Sequence, residues 1–404
     1  MVKTTYIGTG FSAHNNPFEA ARIASQQAKK EIRQQNPNLI LVFTSIHFQS
    51  KKLLEGIYYV FGQDANVLGC TGSGVITNSG VHKYGVAIMA IYSTKIHFGI
   101  SAMQEINKDN PRESGEKFAR SALKKLGTTT REIGLIISDG LIENGSELLL
   151  GMKDVLGRSF PIIGGSAADN MHFSKTYQYF NREILNNALI GTILSGEAVF
   201  GYGLRHGWKP LGRPHTATQS SGNILKKIEG EPAVEIYKNY FKKNIEEIKS
   251  LLMQISILYP LGIYLAGEEE YLLRNVSRID ADGGIVCQGD IPEGSEIRIM
   301  MGTQESALSA AKQAAWEAKN ALKEAPLQGA IIFESVSRFN LLGYRFNEEI
   351  NIIKSILGED APIIGVCTFG EQAPLRSLEY HGESHFHNET VAILTIGERS
   401  ATFK

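Results

Sequence analysis

The chain has 404 residues, 43% apolar and 21% charged, which allows a large buried core and excludes the apolar-poor, charge-rich balance of a disordered chain. Its 41 basic and 42 acidic residues leave a formal net charge of −1, so there is no electrostatic footprint for nucleic acid. No run of eighteen apolar residues argues for a membrane span, the opening Met1 to Thr5 does not read as a signal peptide, and Cys70, Cys287 and Cys367 form no CxxC pair, so reduced thiols in a cytoplasmic protein are expected.

Taken in order, Ile7-Gly8-Thr9-Gly10-Phe11-Ser12-Ala13 matches the dinucleotide fingerprint G-x-G-x-x-A. That chemistry needs a helix N-terminus inside the motif and an acid after the next strand. Asn15-Asn16-Pro17 delays the helix and Leu39 to Phe43 ends without such an acid, so the segment reads as a strand-to-helix loop. Asn16-Pro17 then starts a helix, Asn capping and Pro at the first helical position, with Ala21, Ala24, Ala28 and Ile32 as its apolar stripe. Leu39 to Phe43 is apolar on both faces, as in a strand covered by helices. A second helix through Leu53, Leu54, Ile57 and Phe61 follows, then the small-residue exit Val67 to Gly72.

The pattern repeats. Asn110-Pro111 opens a helix with Phe118, Ala122 and Leu126 on one face, followed by Ile133 to Ile137, a helix through Leu148 to Leu156, and Ile162 to Ser166. Ala188 to Leu194 and Glu197 to Leu204 read as consecutive strands before a Gly/Pro-rich stretch from His206 to Pro214. Further on, turns at Gly222-Asn223 and Gly230 to Pro232 bracket a short strand, Pro232 opens a helix reaching toward Met253, and Arg274 to Asp280 and Gly284 to Cys287 read as strands. A third copy starts near Thr303, with Leu308, Ala311, Ala315, Ala318 and Leu322 in one stripe. Ala330 to Phe333, Ile350 to Ile356 and Ile363 to Thr368 complete it. The expectation is an α/β protein of two tightly packed domains, 1–215 and 216–404, built from three related β-α-β units with mixed sheets and parallel pairing within each unit.

Matched turns in repeats sit at matched places, so the three strand exits are candidate ligand sites: Cys70, Thr71 and Gly72; Gly165, Ser166 and Asp169; Thr368, Gly370 and Glu371. Glycine admits close approach, hydroxyls and free N–H groups hold a carboxylate or phosphate, and the acids capture an ammonium group. Arg278 and Arg338 are candidates for a bidentate grip on a carboxylate. His381, His385 and His387 have a spacing that suits a metal, and a lone histidine such as His206 suits haem ligation, although non-covalent haem leaves no spacing signature. Gly201 to Gly203 and Gly207 to Gly212 are candidate hinges. Cys70 or Cys367 would serve a thiol enzyme, but neither has a local histidine partner, and no P-loop, nucleophile elbow, paired acid motif or zinc signature is present. A non-catalytic binding protein is expected, with no required cofactor.

Three segments, Ile163 to Asp169, His206-Gly207-Trp208 and Ile228 to Tyr237, resemble the amino-terminal module of FIST proteins and its junction. Arg274 to Asp280 with Gly294, Phe333 to Arg338, Phe369-Gly370-Glu371 and Phe386-His387-Asn388-Glu389-Thr390 resemble the carboxy-terminal module, with Ser335 standing where the family usually has cysteine. The resemblance adds His387 and Asn388 to the candidate ligand residues. It implies a prokaryotic intracellular sensor that binds a small polar ligand, an amino acid or carboxylate favoured. Its signal would pass through a partner such as a histidine kinase or cyclic-dinucleotide enzyme, and a homodimer is compatible with this. It leaves open haem-based nitric oxide sensing, known in some relatives.

Overall fold

A computed structural model describes residues 4–268, 270–375 and 382–399. Its first unit runs β1 (Thr5–Ser12), α1 (Pro17–Glu31), β2 (Leu39–Ser45), α2 (Lys51–Phe61), β3 (Val67–Gly72), the hairpin β4 (Val75–Thr77) and β5 (Gly80–His82), and β6 (Val86–Ser93). The second repeats this as β7 (Ile96–Met103), α3 (Pro111–Leu126), β8 (Ile133–Ser138), α4 (Gly145–Leu156), β9 (Ile162–Ser166), the hairpin β10 (Gln178–Phe180) and β11 (Glu183–Leu185), and β12 (Leu189–Gly196). The third begins with β13 (Ala198–Arg205), is interrupted, and resumes at Gln304.

The interruption carries β14 (Lys209–Ser221), β15 (Ile224–Ile228), β16 (Glu231–Pro232), α5 (Glu235–Phe241), α6 (Ile245–Ser250), α7 (Leu252–Leu258), β17 (Leu261–Ile263), β18 (Leu272–Arg274), β19 (Val276–Ile279), β20 (Ile285–Cys287) and β21 (Glu296–Met301). The third unit then continues as α8 (Gln304–Asn320), β22 (Leu327–Ser335), α9 (Val336–Leu342), α10 (Phe346–Leu357), β23 (Ile363–Thr368), the hairpin β24 (Glu371–Pro374) and β25 (Ser384–His387), and β26 (Val391–Glu398). In space, β13 therefore belongs to the third unit's sheet, where it pairs with β26 from Ala198↔Glu398 to Arg205↔Val391.

Each unit has the predicted parallel pair, β2 with β3, β8 with β9, and β22 with β23, inside an otherwise antiparallel sheet. The last two strands of each six-stranded sheet come from another unit. Hairpin β10–β11 of the second unit extends the first sheet through β3, β24–β25 of the third extends the second through β9, and β4–β5 of the first extends the third through β23. The exchange closes a ring. Local sequence periodicity carries no signal for it, because each hairpin's partner lies in a different repeat.

The alternation along the central strands explains their two-sided apolar character. Leu39, Leu41 and Phe43 of β2, Ile133, Leu135 and Ile137 of β8, and Ile331 and Phe333 of β22 share one central core. Phe43 and Phe333 meet edge to face across it, centroids 6.0 Å apart. Their neighbours Ile40 and Val42, Ile136, and Ala330 and Ile332 face outward, each set under its own helix pair. Each such large apolar side chain contributes about 1.5–3 kcal/mol by leaving water.

The glycines of the first strand in each unit let the covering helix sit close. A Cβ on Gly10, Gly99 or Gly203 would lie 2.0, 2.3 or 2.0 Å from the carbonyl oxygen of Ala24, Ala122 or Ala314. The fingerprint-like glycines thus lie within β1 and serve strand–helix contact. Gly201 and Gly203, considered above as a hinge, are packed against α8 in the same way.

Two local expectations change in the inserted segment. The Gly/Pro-rich stretch after His206 is largely strand, since β14 starts at Lys209 and runs antiparallel to β21. The helix expected from Pro232 to Met253 is three short ones. Lys242 takes a left-handed conformation at φ +57° that ends α5, and Asn244 with Glu247 forms a capping box that starts α6 anew. The inserted sheet runs in order β18-β17-β21-β14-β15-β20-β19. Its two end strands are joined by the single residue Asn275, so it curls around its own apolar core into an open barrel with its seam at Asn275.

Candidate functional site

The three glycine-rich exits converge on the ring's centre and hydrogen-bond to one another. Ser73 N–H donates to Cys367 O (3.0 Å) and Cys367 N–H to Gly74 O (2.9 Å). Ser166 N–H donates to Gly370 O (2.8 Å), Phe369 N–H to Ser166 O (3.0 Å), and Ala168 N–H to Thr71 O (2.9 Å). Cys70, Thr71, Ser166 and Thr368 are buried there, and a Cβ on Gly165 would strike Phe333 and Thr368. Gly72 is closed off by Val366 in the same manner. The exits are a mutual clasp.

A cavity of about 610 Å³ lies beside this clasp, at the junction of ring and barrel. The barrel supplies its seam, Asn275 to Arg278, with Cys287, Gln288 and residues of α7 including Met253. The ring supplies Val336 and Ser337 of α9, and Phe369, Phe386, Met171 and Phe173. The stacked rings of Phe173 and Phe369, 4.6 Å apart and 17° from parallel, form an aromatic wall. Asp169 does not line the cavity but shapes it. Its carboxylate accepts from the backbone N–H groups of Phe173, Ser174 and Lys175 at 2.7–2.9 Å, holding the tight loop that presents Met171 and Phe173.

The floor is polar. Asn275 Nδ2 donates to Ser337 Oγ (3.3 Å), Asn275 N–H to Asn388 Oδ1 (3.2 Å), and Asn388 Nδ2 to Gln288 Oε1 (3.2 Å). Asn388 is thus a buried brace between barrel and ring. Behind it, Arg338 is fully buried on α9. It donates to Glu334 Oε1 (2.5 Å), to Glu349, and to the carbonyls of His206 (2.5 Å) and Ala307 (3.0 Å). Its flanking carboxylates raise its pKa further against the cost of burial. Arg338 anchors α9 from inside, whereas Arg278 lines the cavity mouth with 57% of its side chain exposed, 3.3 Å from Asp280. The two arginines are not brought together at one anion site.

Glu371 accepts from the hydroxyls of Thr368 (2.6 Å) and Thr390 (2.7 Å). Burial still pushes its pKa up to about 8. Burial raises Glu389 well above the usual carboxylate range, Ser337 and Asn275 opposing it. It also pushes all three thiols up, Cys287 in the cavity wall to about 12, which disfavours the nucleophilic thiolate.

Of the histidines considered for metal, His381 lies outside the described residues. His385 and His387 share β25, and burial drives both toward the neutral form, His385 to about 3. No group of three or more metal-binding side chains forms among the described residues. For a histidine to ligate haem it would need a free ring nitrogen facing a cavity. His206 Nε2 lies 2.6 Å from Glu270 and its Nδ1 accepts from Trp208 N–H, while His387 Nε2 lies 2.9 Å from Ala373 O. No described histidine lines the cavity, so neither His206 nor His387 offers a haem ligand there.

Asn275, Ser337, Phe173 and Met253 were not among the residues selected from sequence. The available signal was that three quoted segments, Arg274 to Asp280, Phe333 to Arg338 and Phe386 to Thr390, all meet at this floor.

The family model of the FIST N domain matches residues 38–231, and that of the FIST C domain matches residues 233–374. The uncharacterized protein MJ1623 of Methanocaldococcus jannaschii is 24% identical over 307 residues. The match covers 70% of this chain and 58% of that relative, so the chain spans little more than half of the relative's length. Among solved structures, a cyanuric acid hydrolase described as arising by structural concatenation covers 98% of this chain and 100% of its own, with TM-score 0.39 and 7% identity. A second cyanuric acid hydrolase, from A. caulinodans, gives TM-score 0.38 and 7% identity with the same coverage. Likeness at this level carries no functional argument.

Proposed function

Because this chain belongs to the FIST family, for which sensory small-ligand binding is the general role, we propose that it is a non-catalytic sensor holding its ligand between ring and barrel. The observation that carries this reading is the cavity itself, about 610 Å³ with aromatic and thioether walls and an amide and hydroxyl floor. Small-molecule sites have this character, an apolar body of contacts with a few placed polar groups. The favoured ligand is a small amino acid or related carboxylate with an apolar side chain. Arg278 at the mouth meets its carboxylate, and the wall of Phe173, Phe369 and Met253 covers its body.

The raised thiol of Cys287 supports binding without catalysis. A ligand touching both the barrel seam and α9 favours one packing of the two over others, and that difference is what a partner reads. Such a partner is a signalling protein of the histidine kinase or cyclic-dinucleotide class, in the cytoplasm. Thermal shift and calorimetry with an amino-acid panel test the reading. Saturable binding that Met253→Trp at the cavity mouth abolishes supports it, and binding untouched by that substitution sinks it.

A further inference from the structure

The interior behind the cavity floor is rich in acids. Glu334, Glu349, Glu371 and Glu389 are all fully buried, with Arg338 among them. Arg338 pairs with Glu334 and Glu349, and Glu371 is held by two threonine hydroxyls. Glu389 is placed differently. It sits in the left-handed region at φ +62°, and neither carboxylate oxygen has a partner of ordinary hydrogen-bond geometry, although the Ser337 hydroxyl and Asn275 amide are near enough to oppose its upward shift. Next to it is Asn275, which lines the cavity, is only 9% exposed, and has an unpartnered Oδ1 of its own. At the inner wall the Asn275 side-chain oxygen is therefore an unmet acceptor, with the Glu389 carboxyl behind it. The charged residues of the cavity lining, Arg278 and Glu143, are both at the exposed mouth.

We propose that the cavity takes an amine, a small molecule with an apolar body whose protonated nitrogen enters first, donates to the Asn275 side-chain oxygen and is neutralised by Glu389 behind it. This rests on the cavity being the ligand site. An inward carboxylate would meet the unpartnered Asn275 oxygen with the Glu389 carboxyl behind it, whereas an ammonium group supplies the missing donor. The aromatic rings of Phe173, Phe369 and Phe386 in the lining favour a cation over an anion. An amino acid would then sit ammonium inward, its carboxylate toward Arg278.

Burial pushes Glu389 well above the usual carboxylate range, so it holds a proton more tightly than an exposed carboxyl does. Where Glu389 carries that proton when the ammonium group arrives, its O–H bond breaks, the carboxylate keeps the electron pair, and the proton leaves to solvent. The groups facing Glu389 are the Ser337 hydroxyl and Asn275 amide, the acid Glu371 and the cation Arg338. Glu389 is thus a positioning and charge-balancing residue.

The test is calorimetry on the full chain with 2-phenylethylamine, phenylalanine, 3-phenylpropionate and neutral 2-phenylethanol, in two buffers of different ionisation enthalpy. The amine and the amino acid bind about tenfold or more tighter than 3-phenylpropionate, with about one proton released per amine bound. Glu389→Gln removes the proton release and weakens the amine by about tenfold while leaving 2-phenylethanol unchanged, and Asn275→Ala weakens the amine in the same direction. Equal affinity for 3-phenylpropionate, or undiminished amine binding and proton release in Glu389→Gln, overturns the proposal. An apolar fluorescent dye separates the two levels. A dye that binds, is excluded by Met253→Trp and is not displaced by the amine overturns the amine class alone, while a dye indifferent to Met253→Trp overturns the site.

Discussion

Asn275 and Ser337, 62 residues apart in sequence, hydrogen-bond through Nδ2 and Oγ at 3.3 Å, and through them the barrel seam touches the first turn of α9. One residue lies on the inserted barrel and the other on the ring, and both line the cavity. A molecule seated in the cavity and touching both would bridge the two bodies.

Removing either partner tests that coupling. Asn275→Ala and Ser337→Ala each cost about 1 kcal/mol of stability, the usual net worth of one buried hydrogen bond. The double variant costs less than their sum by about 0.5 kcal/mol or more, because contacting residues are not additive. Urea unfolding of the four proteins of the cycle measures this, and strict additivity would show that the pair does not join barrel to ring.

The two arginines separate structure from binding. Arg338→Met leaves Glu334 and Glu349 without their buried cation and destabilises the fold by about 3–5 kcal/mol. Arg278→Ala removes an exposed ion pair and costs about 0–1 kcal/mol. Its effect is confined to ligands bearing a carboxylate. Equilibrium unfolding beside calorimetry distinguishes the two, and a stable Arg338→Met protein would contradict the anchoring role.

Glu371 predicts a slope of stability with pH. Its folded-state pKa of about 8 lies above the ordinary value of 4.5, so between these limits the folded chain holds a proton that the unfolded chain has lost. Stability from this group is fully present below about pH 4.5 and falls as pH rises toward 8, by up to about 1.4 kcal/mol per pH unit. The upward shift of Glu389 acts in the same sense. Glu371→Gln flattens this part of the profile. Urea midpoints from pH 5 to 9 that decline equally in both proteins would assign the slope elsewhere.

The close approach of β13 to α8 predicts a steric penalty at Gly203. A valine there places its Cβ 2.0 Å from the Ala314 carbonyl oxygen, and separating strand from helix costs about 1–3 kcal/mol or more. Gly127→Ala serves as a control for general loss of glycine, since no atom lies within 4 Å of its added Cβ, although its φ of +68° carries a strain of its own. A thermal midpoint for Gly203→Val no lower than the control's would mean the helix yields freely.

The sequence by itself determined the three units, their buried parallel strands and their helix starts. The forces involved are local: apolar spacing selects helix or strand, and Asn-Pro at residues 16–17 and 110–111 and Thr303 cap helix N-termini within a few residues. It also marked the segments that border the cavity, since Arg274 to Asp280, Phe333 to Arg338 and Phe386 to Thr390 were all legible as distinct motifs. Only the tertiary structure decided what those motifs do. Thr71, Ser166 and Thr368 look alike as ligand turns in sequence, but the ring closes them on one another, because each hairpin crosses to a neighbouring unit. Arg278 and Arg338 look equivalent until burial removes one from solvent and leaves the other at the mouth. The floor of Asn275, Ser337, Asn388 and Glu389 exists only once a barrel inserted after β13 folds back against α9. Contacts so distant along the chain leave no periodic trace, since they depend on where whole elements pack and not on spacing within any one of them.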